Sequence, residues 1–279
     1  MVPRTAVLQD LSGFGRCSLS VVMPILSVMG IQCCPVPTAF LSSHTGFEGN
    51  TFLDMTEEMK RVSEHWKSLQ LSFQAIYSGF IGSEAQLEVI SQFISDFRRH
   101  NTLVLVDPVM GDYGRVYRTY TPAMCRQMVH LAAQADLITP NFTEACILLD
   151  EPYENRPVTQ DQQIEWLSRL SLGGTRSVVL TGISQGEQNL GAACFDRNSQ
   201  TISFSFCEKV DGQFHGSGDV FASVTLGALL SGTSLSAATD LAVSFVRDCI
   251  ALTVEAQAPP KEGLLIEPCL ARLHHLVSN

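Results

Sequence analysis

Positive charge is scarce in this chain. Its 279 residues hold 28 Asp and Glu against 18 Lys and Arg, a formal net charge of −10. A nucleic-acid binder needs a basic face, so that class is set aside. Long apolar runs are missing as well. None reaches the roughly 18 residues that span a bilayer, although a 45% hydrophobic composition is enough for a sizeable core. The nine cysteines include no C-x-x-C pair, which speaks against a zinc cage or a disulfide framework. The adjacent Cys33-Cys34 read as small apolar residues. There is no G-x-x-x-x-G-K-[ST], no H-R-D with D-F-G and no H-E-x-x-H, so P-loop, protein-kinase and zincin readings fall away. The opening Met1-Val2-Pro3-Arg4-Thr5 runs straight into an apolar strand and is not a secretory leader. A cytoplasmic setting with reduced thiols is expected. Asn141-Phe142-Thr143 then matches a glycosylation sequon by chance.

What remains is a regular alternation. Strands are predicted over Thr5–Gln9, Gln32–Pro37, Ala75–Ser78, Leu103–Asp107, Leu137–Thr139 and Ser177–Thr181. Helical periods separate them, such as Met55, Met59, Val62, Trp66 and Leu69, or Leu87, Ile90, Ile94 and Phe97. A helix over Ser18–Met29 ends at Gly30 as its cap. Alternating strands and helices make βαβ units and a mostly parallel sheet. Ala192–Asp196 and Thr201–Cys207 flank a polar turn and read as an antiparallel hairpin. One helix is predicted from Asp219 to about Ala256, with Pro259-Pro260 stopping it, and a last one over roughly Leu265–Val277. With no linker and no repeat, residues 1–279 read as a single domain.

Ligands of parallel α/β sheets sit at the carboxyl ends of the strands. Asp10, Asp107, Asn141, Thr181 and Gly182 each close an apolar run there. Phe214-His215-Gly216-Ser217-Gly218-Asp219 precedes the long apolar helix. Its glycines let backbone approach a ligand, and free N–H groups at a helix start suit an anion. Asp219 would repel a phosphate, which makes sense if it takes the proton of an incoming hydroxyl. The same residues also make an ordinary loop and N-cap. Asp107 and Asp112, five apart, suit Mg²⁺, which takes a few carboxylates plus water and phosphate oxygens. They equally suit a tight turn with solvated acids, and Gly111 and Gly114 would let that loop move. In Thr139-Pro140-Asn141-Phe142-Thr143-Glu144, Thr143 reads as a helix cap, or else Asn141 meets phosphate and Glu144 metal-bound water. His44, in Ser43-His44-Thr45-Gly46, reads alone as a hydrogen-bonded structural histidine.

Five segments in this order resemble the ribokinase-like superfamily, and within it the pyridoxal/pyridoxamine kinases: Gln9-Asp10-Leu11-Ser12-Gly13, Ser43-His44-Thr45-Gly46, Asp107-Pro108-Val109-Met110-Gly111-Asp112, Thr139-Pro140-Asn141-Phe142-Thr143-Glu144 and Gly216-Ser217-Gly218-Asp219. The resemblance implies a three-layer α/β sandwich, its mostly parallel central sheet flanked by helices on both faces. It implies ATP-dependent phosphorylation of the 5′-hydroxymethyl group of a B6 vitamer in pyridoxal 5′-phosphate salvage. It makes Asp219 the general base and Gly216, Ser217 and Gly218 the anion hole. Asp107, Asp112, Tyr117, Asn141, Thr181 and Gly182 would meet the nucleotide, and Asp10, His44, Thr45 and Phe80 the vitamer. Asp112, Glu144 and Thr139 would hold cations: Mg²⁺ or another divalent ion, and a monovalent ion such as K⁺. A cytoplasmic homodimer is expected.

Asp10, Phe80 and Ser217 depart from the Ser, Tyr and Thr common at those places in the family. Asp10 suits an amine or a protonated pyridine nitrogen, which leaves the preferred vitamer open. Hydroxymethylpyrimidine kinases share the chemistry and are the alternative within the class. A vitamer-binding protein without turnover is the alternative outside it, and would be expected to lack Asp219 or the two glycines.

Overall fold

The computed structural model describes residues 2–154 and 158–274. A nine-stranded sheet runs through it. In chain order come β1 (Arg4–Ser12), α1 (Leu19–Val28), β2 (Gln32–Leu41), β3 (Phe52–Asp54), α2 (Thr56–Ser68), β4 (Ala75–Ser78), α3 (Glu84–Phe97) and β5 (Leu103–Val106). A small hairpin follows, β6 (Gly111–Asp112) with β7 (Arg115–Val116). Then come α4 (Pro122–Ala133), β8 (Leu137–Ile138), α5 (Phe142–Leu149), α6 (Gln160–Leu170), β9 (Ser177–Gln185), β10 (Asn189–Asp196) and β11 (Thr201–Glu208). The chain closes with α7 (Ser217–Leu230), α8 (Leu235–Glu255) and the short α9 (Ala271–His274).

The sheet order is β11-β10-β9-β8-β5-β4-β1-β2-β3. From β9 to β2 neighbours are parallel, while β10, β11 and β3 are antiparallel. The central strands are apolar on both faces because helices cover both. Ala6, Leu8, Ile76, Val104 and Val178 pack under α2 to α6, and Val7, Tyr77, Leu105 and Val179 under α1, α7 and α8. This is the expected three-layer architecture.

Several predicted boundaries move. The helix expected over 219–256 is two, broken at Ser231-Gly232-Thr233-Ser234, where Gly232 has φ +88° and Ser234 caps α8. The closing helix is a 3₁₀ turn at Glu267–Cys269 and the single turn of α9, with 275–277 outside the described residues. β1 and β9 continue past the residues expected to end them, through β-bulges. The β1–β2 register shifts between Gln9 and Leu11, and that of β9–β10 between Thr181 and Ile183. Gly182 is therefore a bulge residue and supplies the positive φ of +69°, whereas at the first shift the extra residue is on β2, where Thr38 and Ala39 span the step that Asp10 spans alone. All nine cysteines are free, and Cys33 and Cys34 are half-buried rather than core. No helix among the described residues is long and apolar enough to cross a membrane.

Candidate active site

The segment before α7 is shaped by one obligate glycine. Gly216 has φ +80°, and a Cβ on it would collide with the Arg16 carbonyl. The first intrahelical bond runs from Val220 N–H to Gly216 O at 2.9 Å. The N–H groups of Ser217, Gly218 and Asp219 precede it and no side chain caps them. A Cβ on Gly218 would meet open space. The helix start thus presents three donors with open space beside Gly218, as an anion site requires.

Asp219 sits in that first turn. Its Oδ2 accepts the Ser18 N–H at 2.8 Å. Ser18 holds φ +49°, strained for a residue with a side chain, and aims that N–H across 201 residues of sequence. Asp10, 4% exposed on β1 opposite the β2 bulge, accepts from Ser12 Oγ at 2.9 Å. Burial, then the charges of Asp107 and Asp10, push Asp219 up to about 8. Burial likewise raises Asp10.

A second acidic group lies at the ends of β5 and β8. Asp107 Oδ1 accepts from Thr139 Oγ1 at 2.9 Å. Glu144 is 4% exposed and accepts N–H groups from Met110 (3.1 Å) and Asn141 (2.9 Å). Burial raises both carboxyls, and the charge of Asp107 raises Glu144 further. Asn141 caps α5, accepting from Glu144 N–H at 2.9 Å in a capping box. Its Nδ2 donates to Gly111 O at 2.9 Å. Thr143, read as the cap, instead accepts from Gly114 N–H at 2.8 Å and ties α5 to the β6–β7 hairpin.

The segment after Pro108 forms the β6–β7 hairpin. Tyr113 and Gly114 carry the two positive φ values of a tight two-residue turn. Gly111 is demanded by the Arg115 carbonyl and Gly114 by the Tyr153 ring. Asp112 is exposed, accepts only its neighbour's N–H, and makes no hydrogen bond to Asp107. Tyr117 follows at the hairpin's base, its phenol pushed upward by burial and by Glu144, Asp112, Asp219 and Asp107.

His44 is structural in geometry. Its Nε2 donates to Lys261 O at 2.6 Å, Nδ1 accepts from Gly46 N–H at 3.1 Å, and its ring lies 4.4 Å from His215. It braces the glycine segment from the side. Thr45 is exposed beside it. Phe80 is 8% exposed at the end of β4, its carbonyl accepting from Thr38 Oγ1 at 3.0 Å. Thr181 N–H bonds Pro140 O at 2.9 Å, which places β9 beside Asn141. The structure therefore joins Asp10 to Asp219, and Asp107 to Thr139, Glu144 and Asn141. It leaves Thr45, Asp112 and Gly182 exposed at the rim. Sequence reasoning missed Ser18, whose role depends on a positive φ that nothing local announces.

Among the described residues no three His, Cys, Asp or Glu side chains converge as a metal cage. Asp107, Asp112 and Glu144, all raised by burial, still supply oxygen ligands that fit a divalent cation completing its shell with phosphate and water.

A sheet with bulged strand ends, acids without cations and a donor-rich helix start defines a small-molecule kinase of the ribokinase-like class. The model of the phosphomethylpyrimidine kinase family matches residues 27–262, and the chain belongs to that family. A structure from Bacteroides thetaiotaomicron, described as a candidate phosphomethylpyrimidine kinase, is 40% identical with a TM-score of 0.93, covering 98% of this chain and 94% of that one. A second crystal form of it, with pyridoxal, is 39% identical with a TM-score of 0.90 over 98% and 96%. Pyridoxal kinase from Lactobacillus plantarum is 28% identical with a TM-score of 0.90 over 99% and 98%. A candidate pyridoxal kinase of Caenorhabditis elegans is 29% identical over 196 residues, 66% of this chain but 58% of that longer protein.

Proposed function

We propose that this protein is an ATP-dependent kinase that phosphorylates the 5′-hydroxymethyl group of a B6 vitamer. The observation that carries the reading is Asp219, fixed by Ser18 N–H within the same helical turn whose N–H groups face the cleft. A hydroxyl seated there has a base on one side and an anion site on the other. Asp219 takes the hydroxyl proton, the alcohol oxygen attacks the γ-phosphorus in line as its bond to the β–γ bridging oxygen breaks and ADP leaves, and the Ser217, Gly218 and Asp219 N–H groups steady the equatorial oxygens. Positioning supplies most of the rate, since phosphoryl transfer asks little covalent chemistry of the protein.

Asp107, Glu144 and Asp112 would hold Mg²⁺ through oxygen and water, and Thr139 a monovalent cation such as K⁺. Those ions supply charge neutralisation on the phosphates. Thr181 and Gly182 flank the nucleotide, Asn141 reaches its phosphates through the backbone its side chain holds, and Tyr117 borders it. Asp10, Thr45 and Phe80 face the vitamer, with His44 bracing their loop. The pyridoxal in the Bacteroides crystal supports this substrate class. The family's own description supports hydroxymethylpyrimidine as the second candidate acceptor. A homodimer in the cytoplasm completes the reading by family resemblance. The test is turnover of pyridoxal, pyridoxamine, pyridoxine and hydroxymethylpyrimidine with ATP, Mg²⁺ and K⁺. Vitamer phosphate is the expected product, and turnover of the pyrimidine alone would move the enzyme to the alternative.

A further inference from the structure

The strained turn at Ser18 needs something to hold it. A residue with a side chain stays at φ +49° only where its surroundings over-determine the backbone. On the downstream side α1 begins at once, with the Val21 and Val22 N–H groups on the Ser18 carbonyl at 2.9 and 3.0 Å. On the upstream side stands Arg16, which is held by the far end of the chain. Its N–H donates to the Glu262 carbonyl at 2.9 Å. Its Nε donates to both oxygens of the Glu267 carboxylate, at 2.8 and 3.0 Å, across 251 residues of sequence. Its carbonyl passes between two glycines, since a Cβ on Gly216 or on Gly263 would collide with it. His44, on the neighbouring loop, rests on the same stretch through the Lys261 carbonyl. Residues 259–267 thus fasten both loops beside the anion site, and the mechanism above gives them no part.

We propose that Arg16 is a positioning residue for the base, and that its clasp on Glu267 keeps the Ser18 N–H aimed at Asp219. The chain of contacts is short. Fixing Arg16 fixes the path into Cys17 and Ser18, and from that turn the Ser18 N–H reaches Asp219 Oδ2 at 2.8 Å. Released, Ser18 relaxes toward an ordinary negative φ and its N–H turns away. The carboxylate then loses its hold, and a small misplacement of a reacting group costs rate more than binding. A role in stability alone is the weaker account. The Glu267 side chain is 58% exposed, and ion pairs so exposed contribute little to folding. Arg16 acts through Ser18 and not on the reacting atoms.

The inference rests on the kinase reading, so its test has an arm independent of turnover. Hydrogen exchange of the Ser18 N–H reads the contact directly. In Arg16→Ala and in Glu267→Gln it is expected to run about tenfold faster than in the parent, with the Leu8 N–H of β1 unchanged. In kinetics each variant lowers kcat about tenfold, with KM for vitamer and ATP held within about twofold. The double variant falls little further, because the same ion pair is lost in all three. Unchanged Ser18 exchange, single losses that multiply in the double variant, or a raised KM with kcat kept, overturns the proposal. Should Arg16→Ala fail to fold, Glu267→Gln, which keeps the shape of its side chain, decides. A parent enzyme that phosphorylates no alcohol sinks the kinase reading instead, and hydrogen exchange still decides the clasp.

Discussion

The two ends of the sheet treat buried acid in opposite ways. At the amino end, Asp136 is 5% exposed and meets Arg98 at 2.6 Å, Arg197 at 2.5 Å and the Val104 N–H at 2.9 Å. Arg176, buried nearby, donates to the Ala132 and Leu170 carbonyls. At the carboxyl end, Asp10, Asp107, Glu144 and Asp219 crowd together, and among the described residues no Lys or Arg forms an ion pair with any of them. The first end is neutralised from within and serves the fold. The second holds its carboxyls without cations, so burial raises them toward the protonated form, which costs stability and leaves groups ready to act on what binds there.

The contrast can be broken by exchanging outcomes. Asp219→Asn is expected to lower kcat by about a thousandfold, the loss of a general base, while raising stability by roughly 1 kcal/mol as a buried repulsion disappears. Kinetics and thermal unfolding on one preparation check both. Asp136→Asn is expected to do the reverse: about 2–3 kcal/mol less stable by denaturant titration, because two arginines lose their partner, with kcat within about twofold. Gly218→Val, which fills the open space at the helix start, is expected to cost about a hundredfold in kcat. Wild-type kinetics in that variant would remove the anion hole from the account.

The smallest effect is in pH. A carboxyl raised to about 8 in the fold binds a proton that the unfolded chain, near 3.8, has released. Between those values the native state holds more protons, so stability falls as pH rises. Tm is expected to drop between pH 6 and 8.5 and to recover on adding Mg²⁺. Over the same window kcat/KM for the vitamer should climb, since the base must be ionised to work. Asp219→Asn should flatten both trends, and Asp136→Asn neither.

Much of this was legible in sequence, unevenly. Apolar runs and helical periods place the layers, because burial on both faces imposes them. Asp107, Glu144 and Asp219 are singled out by the order of the five segments, since an acid at a helix start is by itself an ordinary cap. The register shifts beside Asp10 and at Gly182 are not, since a strand that shifts register and continues looks like one that stops. Ser18 escapes because its importance is a backbone angle. Thr143 misleads because Asn141, two residues earlier, is an equally good cap. Gly111 and Gly114 suggest mobility where neighbouring backbone and the Tyr153 ring demand them.

The most direct test is vitamer phosphate formation by the parent enzyme and Asp219→Asn, with Tm recorded on the same samples. The parent is expected to make pyridoxal 5′-phosphate from pyridoxal and ATP, and the variant to lose nearly all turnover while unfolding at a higher temperature. A variant that turns over like its parent, or that loses activity and stability together, would contradict the division of labour between the two ends of the sheet.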